Sequence, residues 1–240
     1  MRDDNFKTNK SCFVLPLANN LYFYFMQKDF IITLAWPEGM VTAPGSWYDI
    51  IASKNGKYRV GHSAMVLINS ETQKSHYFDF GRYHTPIGYG RVRDVETDAD
   101  LDVINAEIKN DEIKNIEDVL VHLSLIKATH GEGKMYASVL SRVNFTKAYT
   151  IAKKMQKKGL LPYGPFVRRG TNCSRFVASI IRSSEPPFIK KIRLLFPFCI
   201  SPSPKRNVSI SNHNYYVVEN KHCIKIKKSR LKAYFSSIEQ

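Results

Sequence analysis

The 240-residue sequence predicts an α+β fold, and three observations support it. Residues 58–68 and 75–80 are rich in apolar and aromatic residues and are separated by a polar turn, which is typical of two paired strands. Apolar residues recur at helical spacing over 145–158. The composition, 43% hydrophobic and 24% charged, is that of a globular protein, and a chain of this length buries a core without needing disulfides or metal.

The first half of the chain is predicted to be mostly strand. Residues up to 36 are rich in Phe, Tyr, Ile and Val, and a Pro/Gly loop follows over 37–48. The strands 58–68 and 75–80 are joined by a polar turn. Residues 97–109 are predicted to be helical, because three aspartates would lie near the positive end of that helix.

The second half alternates strands and helices. Strands are predicted over 119–128 and 135–143, on either side of a turn with the sequence His-Gly-Glu-Gly. Asn144 is the expected N-cap of the helix 145–158, and Gly159 ends it. A helix over 173–182 and short strands over 215–219 and 223–227 complete the prediction.

Two domains of unequal size are predicted: a catalytic domain over 1–185 and a basic extension over 186–240. Of the net charge of +15, the extension carries +9, from eleven Lys or Arg against two Glu. Residues 94–118 carry −8 instead, from ten acids against two Lys. The extension would attract an anionic lipid surface, a nucleic acid or an acidic protein; a solvated basic face is the simpler alternative.

Cysteine spacing and hydropathy exclude several classes of protein. The four cysteines form no CxxC pair, so a zinc finger is excluded and neither a metal nor an organic cofactor is expected. No apolar run reaches the roughly 20 residues of a membrane span. The N-terminus makes a poor signal peptide, so we expect a cytoplasmic protein, or one exported without a recognisable signal.

Cys173 is the candidate nucleophile. Thr171 or Asn172 is a suitable N-cap, which would place Cys173 in the first turn of a helix. The positive helix end and a nearby imidazole would both favour the thiolate, and free N–H groups there would stabilise an oxyanion. The alternative is that Cys173 is a small core residue on the same stripe as Phe176 and Val177.

His62 is the candidate base, and Asp79 the candidate acid that orients it. A four-residue turn over 70–73 pairs strand positions whose numbers sum to 143. His62 then faces Gly81, and Asp79 lies one pair further along on the same side of the sheet. A shift of one residue would place them on opposite faces.

These segments resemble a known enzyme family. Tyr163-Gly164 followed by Asn172-Cys173-Ser174-Arg175-Phe176-Val177 is similar to the nucleophile segment of NlpC-type papain-like cysteine peptidases, which read Asp-Cys-Ser-Gly-Phe-Val there. Gly61-His62 and the hairpin carrying Asp79 resemble their histidine hairpin. In this chain the histidine precedes the cysteine, which resembles the order in the circularly permuted branch of that family. This branch includes lecithin:retinol acyltransferase-like proteins and bacterial permuted amidases or lipases.

The resemblance, over about residues 36–184, implies a papain-like fold in which an antiparallel sheet packs against the nucleophile helix. It also implies a Cys-His-Asp hydrolase or acyltransferase that cleaves an amide or ester of a peptide, cell-wall peptide or lipid through a thioester. Asn172 and Tyr163 would lie near the oxyanion, and Trp47 would line the substrate cleft. The rival hypothesis is a non-catalytic anion- or nucleic-acid-binding protein that uses basic and aromatic residues near Tyr215 and Tyr216.

Overall fold

A computed structural model describes residues 28–42, 57–59, 61–164, 167–195 and 203–229. These residues form one eight-stranded sheet in the order β10-β6-β5-β4-β1-β9-β11-β12, in which every pairing is antiparallel. Five α-helices accompany the sheet in the described part of the chain. The α+β prediction is therefore confirmed.

The strands and helices have the following bounds. The strands are β1 Asp29–Trp36, β2 Met40–Thr42, β3 Lys57–Arg59, β4 His62–Ile68, β5 Ser75–Gly81, β6 Tyr89–Arg93, β7 Ile108–Lys109, β8 Glu112–Ile113, β9 Met135–Val143, β10 Leu161–Pro162, β11 Tyr215–Glu219 and β12 His222–Ile226. The helices are α1 Ile116–Leu125, α2 Phe145–Gln156, α3 Cys173–Ser183, α4 Phe188–Leu195 and α5 Pro204–Ser211.

The β4–β5 hairpin has the predicted register. Ala64 pairs with Asp79 and Ile68 pairs with Ser75, as the four-residue turn requires. Strand β1 pairs with the other edge of β4, so that Trp36 faces His62 at one end of both strands. The register thus brings an indole, an imidazole and a carboxylate to one end of the sheet.

The sheet carries a core on each face, because its central strands are buried on both sides. Alternate residues such as Leu34 and Val66 pack with the apolar stripe of α1, and their neighbours such as Met65 and Leu67 pack with α2 and α3. Phe176 and Val177 of α3 are fully buried in the second core. This packing fixes the axis of α3 and therefore the position of its N-terminus.

Asn144 is confirmed as a helix cap, and of the two candidates for the other cap, Thr171 and Asn172, the cap is Asn172. The Asn144 side chain accepts a hydrogen bond from the Lys147 amide at the start of α2. The Asn172 side chain accepts one from the Arg175 amide at 2.8 Å at the start of α3. In each case a short polar side chain satisfies an N–H that has no partner within its own helix.

Two predicted elements are wrong. Residues 97–109 hold one short 3₁₀ turn, Ala99–Leu101, and the strand β7 rather than a helix. The Asp98 carboxylate instead accepts two hydrogen bonds from Arg91, each 2.8 Å long. Its negative charge therefore stabilises an ion pair with β6 rather than the N-terminus of a helix.

The segment predicted as a strand over 119–128 is mostly the helix α1. Its sequence alternates apolar residues, but it also places them at helical spacing, and Val119, Leu120 and Leu123 are fully buried. Burial of that stripe against the sheet favours the helix over the alternating pattern.

Residues 204–226 complete the sheet and cover its face. Strand β11 pairs with the edge of β9, and β12 pairs with β11, as the sequence predicted for these two strands. The side chain of Asn207 in α5 is fully buried and donates to the Ser174 carbonyl in α3 at 2.8 Å. The proposed boundary between 1–185 and 186–240 therefore falls between segments that share one sheet.

Candidate active site

His62 occupies the first position of β4, directly after a glycine. Gly61 has a φ of +64°, and a Cβ there would come within 2.5 Å of the Trp36 carbonyl oxygen. Only glycine fits this close approach at a positive φ. The motif Gly61-His62 thus sets the point at which the chain enters β4, and with it the position of the imidazole.

The imidazole is bound to Asp79. The distance from His62 Nε2 to Asp79 Oδ2 is 3.0 Å, and the Asp79 side chain is fully buried. Arg93 donates to the same carboxylate from Nε at 3.0 Å and from a terminal nitrogen at 2.6 Å, and the Tyr77 hydroxyl donates at 3.0 Å. Although burial alone would raise the pKa of the Asp79 carboxyl, His62 and Arg93 lower it below its usual value.

Aromatic rings hold the imidazole in place. The Trp36 ring stacks on His62 with centroids 5.8 Å apart. Tyr83 presents its edge to His62, with its hydroxyl 3.5 and 3.4 Å from the two ring nitrogens. The Tyr83 ring lies between the Arg93 guanidinium, 3.3 Å from its centroid, and the stacked ring of His130. The His130 turn therefore forms part of the wall of the site.

Cys173 is the first residue of α3, and its side chain is buried. Burial would raise the pKa of the Cys173 thiol, but a hydrogen bond and the charge of His62 lower it, helped by the Ser174 hydroxyl and the Ser63 backbone N–H. Because Asn172 caps the third N–H of the helix, the first two N–H groups remain at the sulfur end. The helix start can therefore stabilise negative charge on the sulfur or on a nearby oxygen.

The pKa of His62 shifts in the opposite sense. Burial alone would lower it, but the hydrogen bonds to Asp79 and Cys173, with the charges of both groups, raise it to about 9. Since Nε2 binds Asp79, Nδ1 is the nitrogen left for the sulfur. A lowered cysteine pKa beside a raised histidine pKa favours a thiolate–imidazolium pair at neutral pH.

The structure therefore brings Cys173, His62 and Asp79 together, as the sequence analysis expected; their catalytic roles are a proposal taken up below. Asn172 is the helix cap, and Tyr163 lies nearby, stacked on Phe80 with centroids 5.7 Å apart. Trp47 lies outside the described residues.

Arg93 and Tyr83 are the site residues that the sequence analysis missed. Arg93 of β6 pairs with Asp79 of β5. The register of these two strands could not be predicted from the sequence, because a seven-residue connection over 82–88 joins them. A buried arginine next to a buried carboxylate needs a partner. The sequence did offer one signal for this ion pair: Arg93 lies in an alternating strand next to the strand that carries Asp79.

Three other sequence expectations concern ligands and partners. The described residues contain no cluster of three or more His, Cys, Asp or Glu side chains arranged to hold a metal ion. No helix in the described ranges is both long and apolar enough to cross a bilayer. Tyr216, one of the two tyrosines that the nucleic-acid hypothesis used as a stacking surface, is only 8% exposed and packs in the core, so its ring offers no open face to a base.

Comparison with known proteins gives two findings. The family model described as type VI secretion system effector TseH-like matches residues 31–187, which is more than half of the chain. The crystal structure of the type VI secretion system effector TseH superposes with a TM-score of 0.59 at 21% sequence identity, over 83% of this chain and 98% of that one. At 21% sequence identity, the similarity to the TseH structure shows a shared fold. No curated protein matches the chain significantly.

Proposed function

The chain belongs to the type VI secretion system effector TseH-like family, and from that premise we propose that it is a secreted cysteine hydrolase that cleaves an amide or ester bond in its target. The observation that carries the proposal is the contact of 3.0 Å between His62 and a buried Asp79, beside a Cys173 thiol whose pKa the same imidazole lowers against the effect of burial. A carboxylate, an imidazole and a thiol in this order are the parts of a nucleophilic triad.

In the first step the Cys173 thiolate attacks the carbonyl carbon of the substrate, and the electron pair of the C=O bond moves to the oxygen. The N–H groups at the start of α3 stabilise that oxyanion. When the intermediate collapses, the C–N or C–O bond breaks and the imidazolium of His62 gives its proton to the leaving amine or alcohol. A thioester on Cys173 remains.

In the second step neutral His62 takes a proton from water, which attacks the thioester carbonyl. The C–S bond breaks, the acid product leaves, and Cys173 returns as a thiolate beside the imidazolium. An alcohol or amine in place of that water would give acyl transfer. Asp79 stays ionised throughout, because Arg93 and Tyr77 hold its oxygens, and it fixes which nitrogen of His62 faces the sulfur.

Within this proposal the fold is papain-like and of the circularly permuted NlpC type. The support is the order along the chain: the histidine strand β4 precedes the nucleophile helix α3, and α3 packs on the sheet that carries the histidine. Tyr163 lies between β10 and α3 and stacks on Phe80, whose ring in turn packs against Phe176 of α3. It is our candidate for a second group beside the oxyanion.

The test uses pure protein and electrophilic probes of three kinds, namely peptide-like, cell-wall-peptide-like and lipid-ester-like, with mass spectrometry of the intact chain. We expect one class to add a single acyl group, which peptide mapping places on Cys173. Cys173→Ala should abolish the adduct, and Cys223→Ala, a matched change at the other described cysteine, should leave it unchanged. Substrate turnover that survives in Cys173→Ala would remove the mechanism.

A further inference from the structure

Helix α4 presents apolar side chains to solvent. Phe188 is 74% exposed, Ile189 67%, Ile192 40% and Leu195 55%. Leu194 alone among its apolar residues is buried, and it anchors the helix to the core shared with α3. Large apolar side chains grouped on one exposed helix are unusual for a protein surface and mark a place where something binds.

The same helix is basic. Its sequence, FIKKIRLL, contains three cations and no acid. Lys191 is exposed between Ile189 and Ile192. An apolar face flanked by lysine and arginine is the pattern of a helix that lies in the surface of a membrane.

A cavity of about 450 Å³ adjoins α4. Lys28, Arg142 and Lys190 line it, together with one acid, Asp111. Among the described residues, none of the three cations has a carboxylate within 4.0 Å. The cavity therefore holds positive charge that the described part of the protein does not neutralise.

Lys190 joins the cavity to the helix. Its ammonium donates to the Ser211 carbonyl, and burial together with the charge of Arg193 lowers its pKa to about 8. An anion beside this ammonium would offset both effects. Helical spacing places Lys190 roughly 160–200° around the axis of α4 from Phe188 and Ile192, so a phosphate in the cavity would lie on the protein side of α4 and the apolar face on the other side.

We propose that α4 and the adjoining cationic cavity bind the surface of an anionic phospholipid membrane. Phe188 and Ile189 would enter the boundary between headgroups and acyl chains, while Lys190 and Arg142 contact lipid phosphates. The cavity lies at the start of β1, and His62 faces the other end of that strand, roughly 20 Å away. The membrane site is therefore separate from the candidate active site and does not depend on the proposed chemistry.

Two features favour a lipid surface over nucleic acid. The exposed side chains of α4 are mostly aliphatic, and a base stacks on aromatic rings or arginine planes instead. Tyr216, one of the two tyrosines near the basic strands, is buried. Paired apolar and cationic groups match the two layers that a bilayer surface presents.

The experiment is sedimentation of the full chain with two kinds of vesicle, one of phosphatidylcholine alone and one that also contains roughly 30% phosphatidylglycerol as an anionic lipid. Each kind is tested at low and at high salt. We expect binding only to the anionic vesicles, weakening as salt screens the charges. Phe188→Ala should weaken binding roughly ten-fold, and Lys190→Gln roughly five-fold. The controls Ile224→Ala and Lys227→Gln change exposed residues of the same types and should bind like the wild type.

Binding that Phe188→Ala and Lys190→Gln leave unchanged, equal binding to neutral vesicles, or no binding at all would overturn the proposal. A DNA duplex that competes with the vesicles would also overturn the proposal if Lys190→Gln abolishes DNA binding and Phe188→Ala does not. That result would indicate a nucleic-acid surface instead. Cys173→Ala should bind vesicles like the wild type. Circular dichroism of each variant shows whether it is folded, so that loss of binding is not loss of structure.

Discussion

At the scale of single residues, the buried pair of Asp79 and Arg93 determines the charge on His62. Asp79 receives four hydrogen bonds, from the His62 imidazole, the Tyr77 hydroxyl and two nitrogens of Arg93. A carboxylate so fully satisfied stays ionised inside the protein and can raise the pKa of a neighbouring imidazole. In the proposed mechanism, the reactivity of Cys173 therefore depends on Asp79, which acts through the imidazole of His62.

Asp79→Asn tests this dependence. With the carboxylate gone, two of the four contributions that offset the burial of His62 are lost, so its pKa should fall from about 9 and that of Cys173 should rise. The thiolate–imidazolium pair then forms over a narrower pH range, and activity near neutral pH should fall about a hundred-fold or more. The measurement is the rate of substrate turnover, or of Cys173 alkylation, against pH.

Stability has to be separated from chemistry in that variant. Asp79→Asn leaves the buried Arg93 guanidinium with only the more distant Asp98 carboxylate, 3.9 Å away, as counter-charge, at a cost of about 3 kcal/mol. The double variant Asp79→Asn with Arg93→Met removes both partners and should regain most of that stability in a urea titration. It should not regain the pH profile, and a double variant with the wild-type profile would show that Asp79 does not set the pKa of His62.

At the scale of elements, the cap of α3 links helix stability to the nucleophile. Asn172→Ala removes the acceptor for the Arg175 amide and should cost about 1 kcal/mol of unfolding free energy. It should also slow alkylation of Cys173 roughly two- to five-fold, because the first turn then holds its dipole less firmly beside the sulfur.

Asn144→Ala is the matched control for that prediction. Asn144 caps α2 with the same geometry, at 2.9 Å from the Lys147 amide, but no catalytic candidate lies in that turn. Urea titration should show a similar loss of stability with the alkylation rate of Cys173 unchanged. Equal effects of the two substitutions on that rate would mean that the start of α3 has no special role.

The elements that could be predicted from the sequence are those fixed by local chemistry. The turn over 70–73 determined the register of β4 and β5, and Asn144 and Asn172 marked the starts of α2 and α3. Where a contact between separate elements decides the structure, prediction failed: Asp98 pairs with Arg91 of β6 instead of supporting a helix. The contact between Arg93 and Asp79 was missed for the same reason, since it crosses a connection of undetermined geometry.

At the scale of the whole molecule, residues after 186 belong to the same sheet as the candidate site. Val208 of α5 and Val218 of β11 are buried, and Asn207 donates to the carbonyl of Ser174, which follows the candidate nucleophile Cys173. The family model ends at residue 187, although the likeness to the solved TseH structure extends over 83% of this chain. The segment that the sequence marked as a basic extension therefore helps to support the site.

A chain that ends at Glu185 tests this integration. It lacks the strand that covers the edge of β9 and the buried side chains of α5, so we expect it to lose cooperative thermal unfolding. Circular dichroism during heating is the measurement. A truncated chain that melts cooperatively and keeps a reactive Cys173 would instead establish 1–185 as an independent domain.

The rate of carboxymethylation of each cysteine between pH 5 and 10, followed by peptide mass spectrometry, most directly tests whether an imidazole ionises the sulfur at the start of α3. Cys223 is an internal reference, because burial and Glu117 raise its pKa to about 11. We predict that Cys173 reacts rapidly at pH 6 while Cys223 stays unmodified, and that His62→Ala removes the difference at that pH. A Cys173 that reacts no faster than Cys223, or whose rate rises only above pH 8.5 as an ordinary thiol's does, would contradict the account.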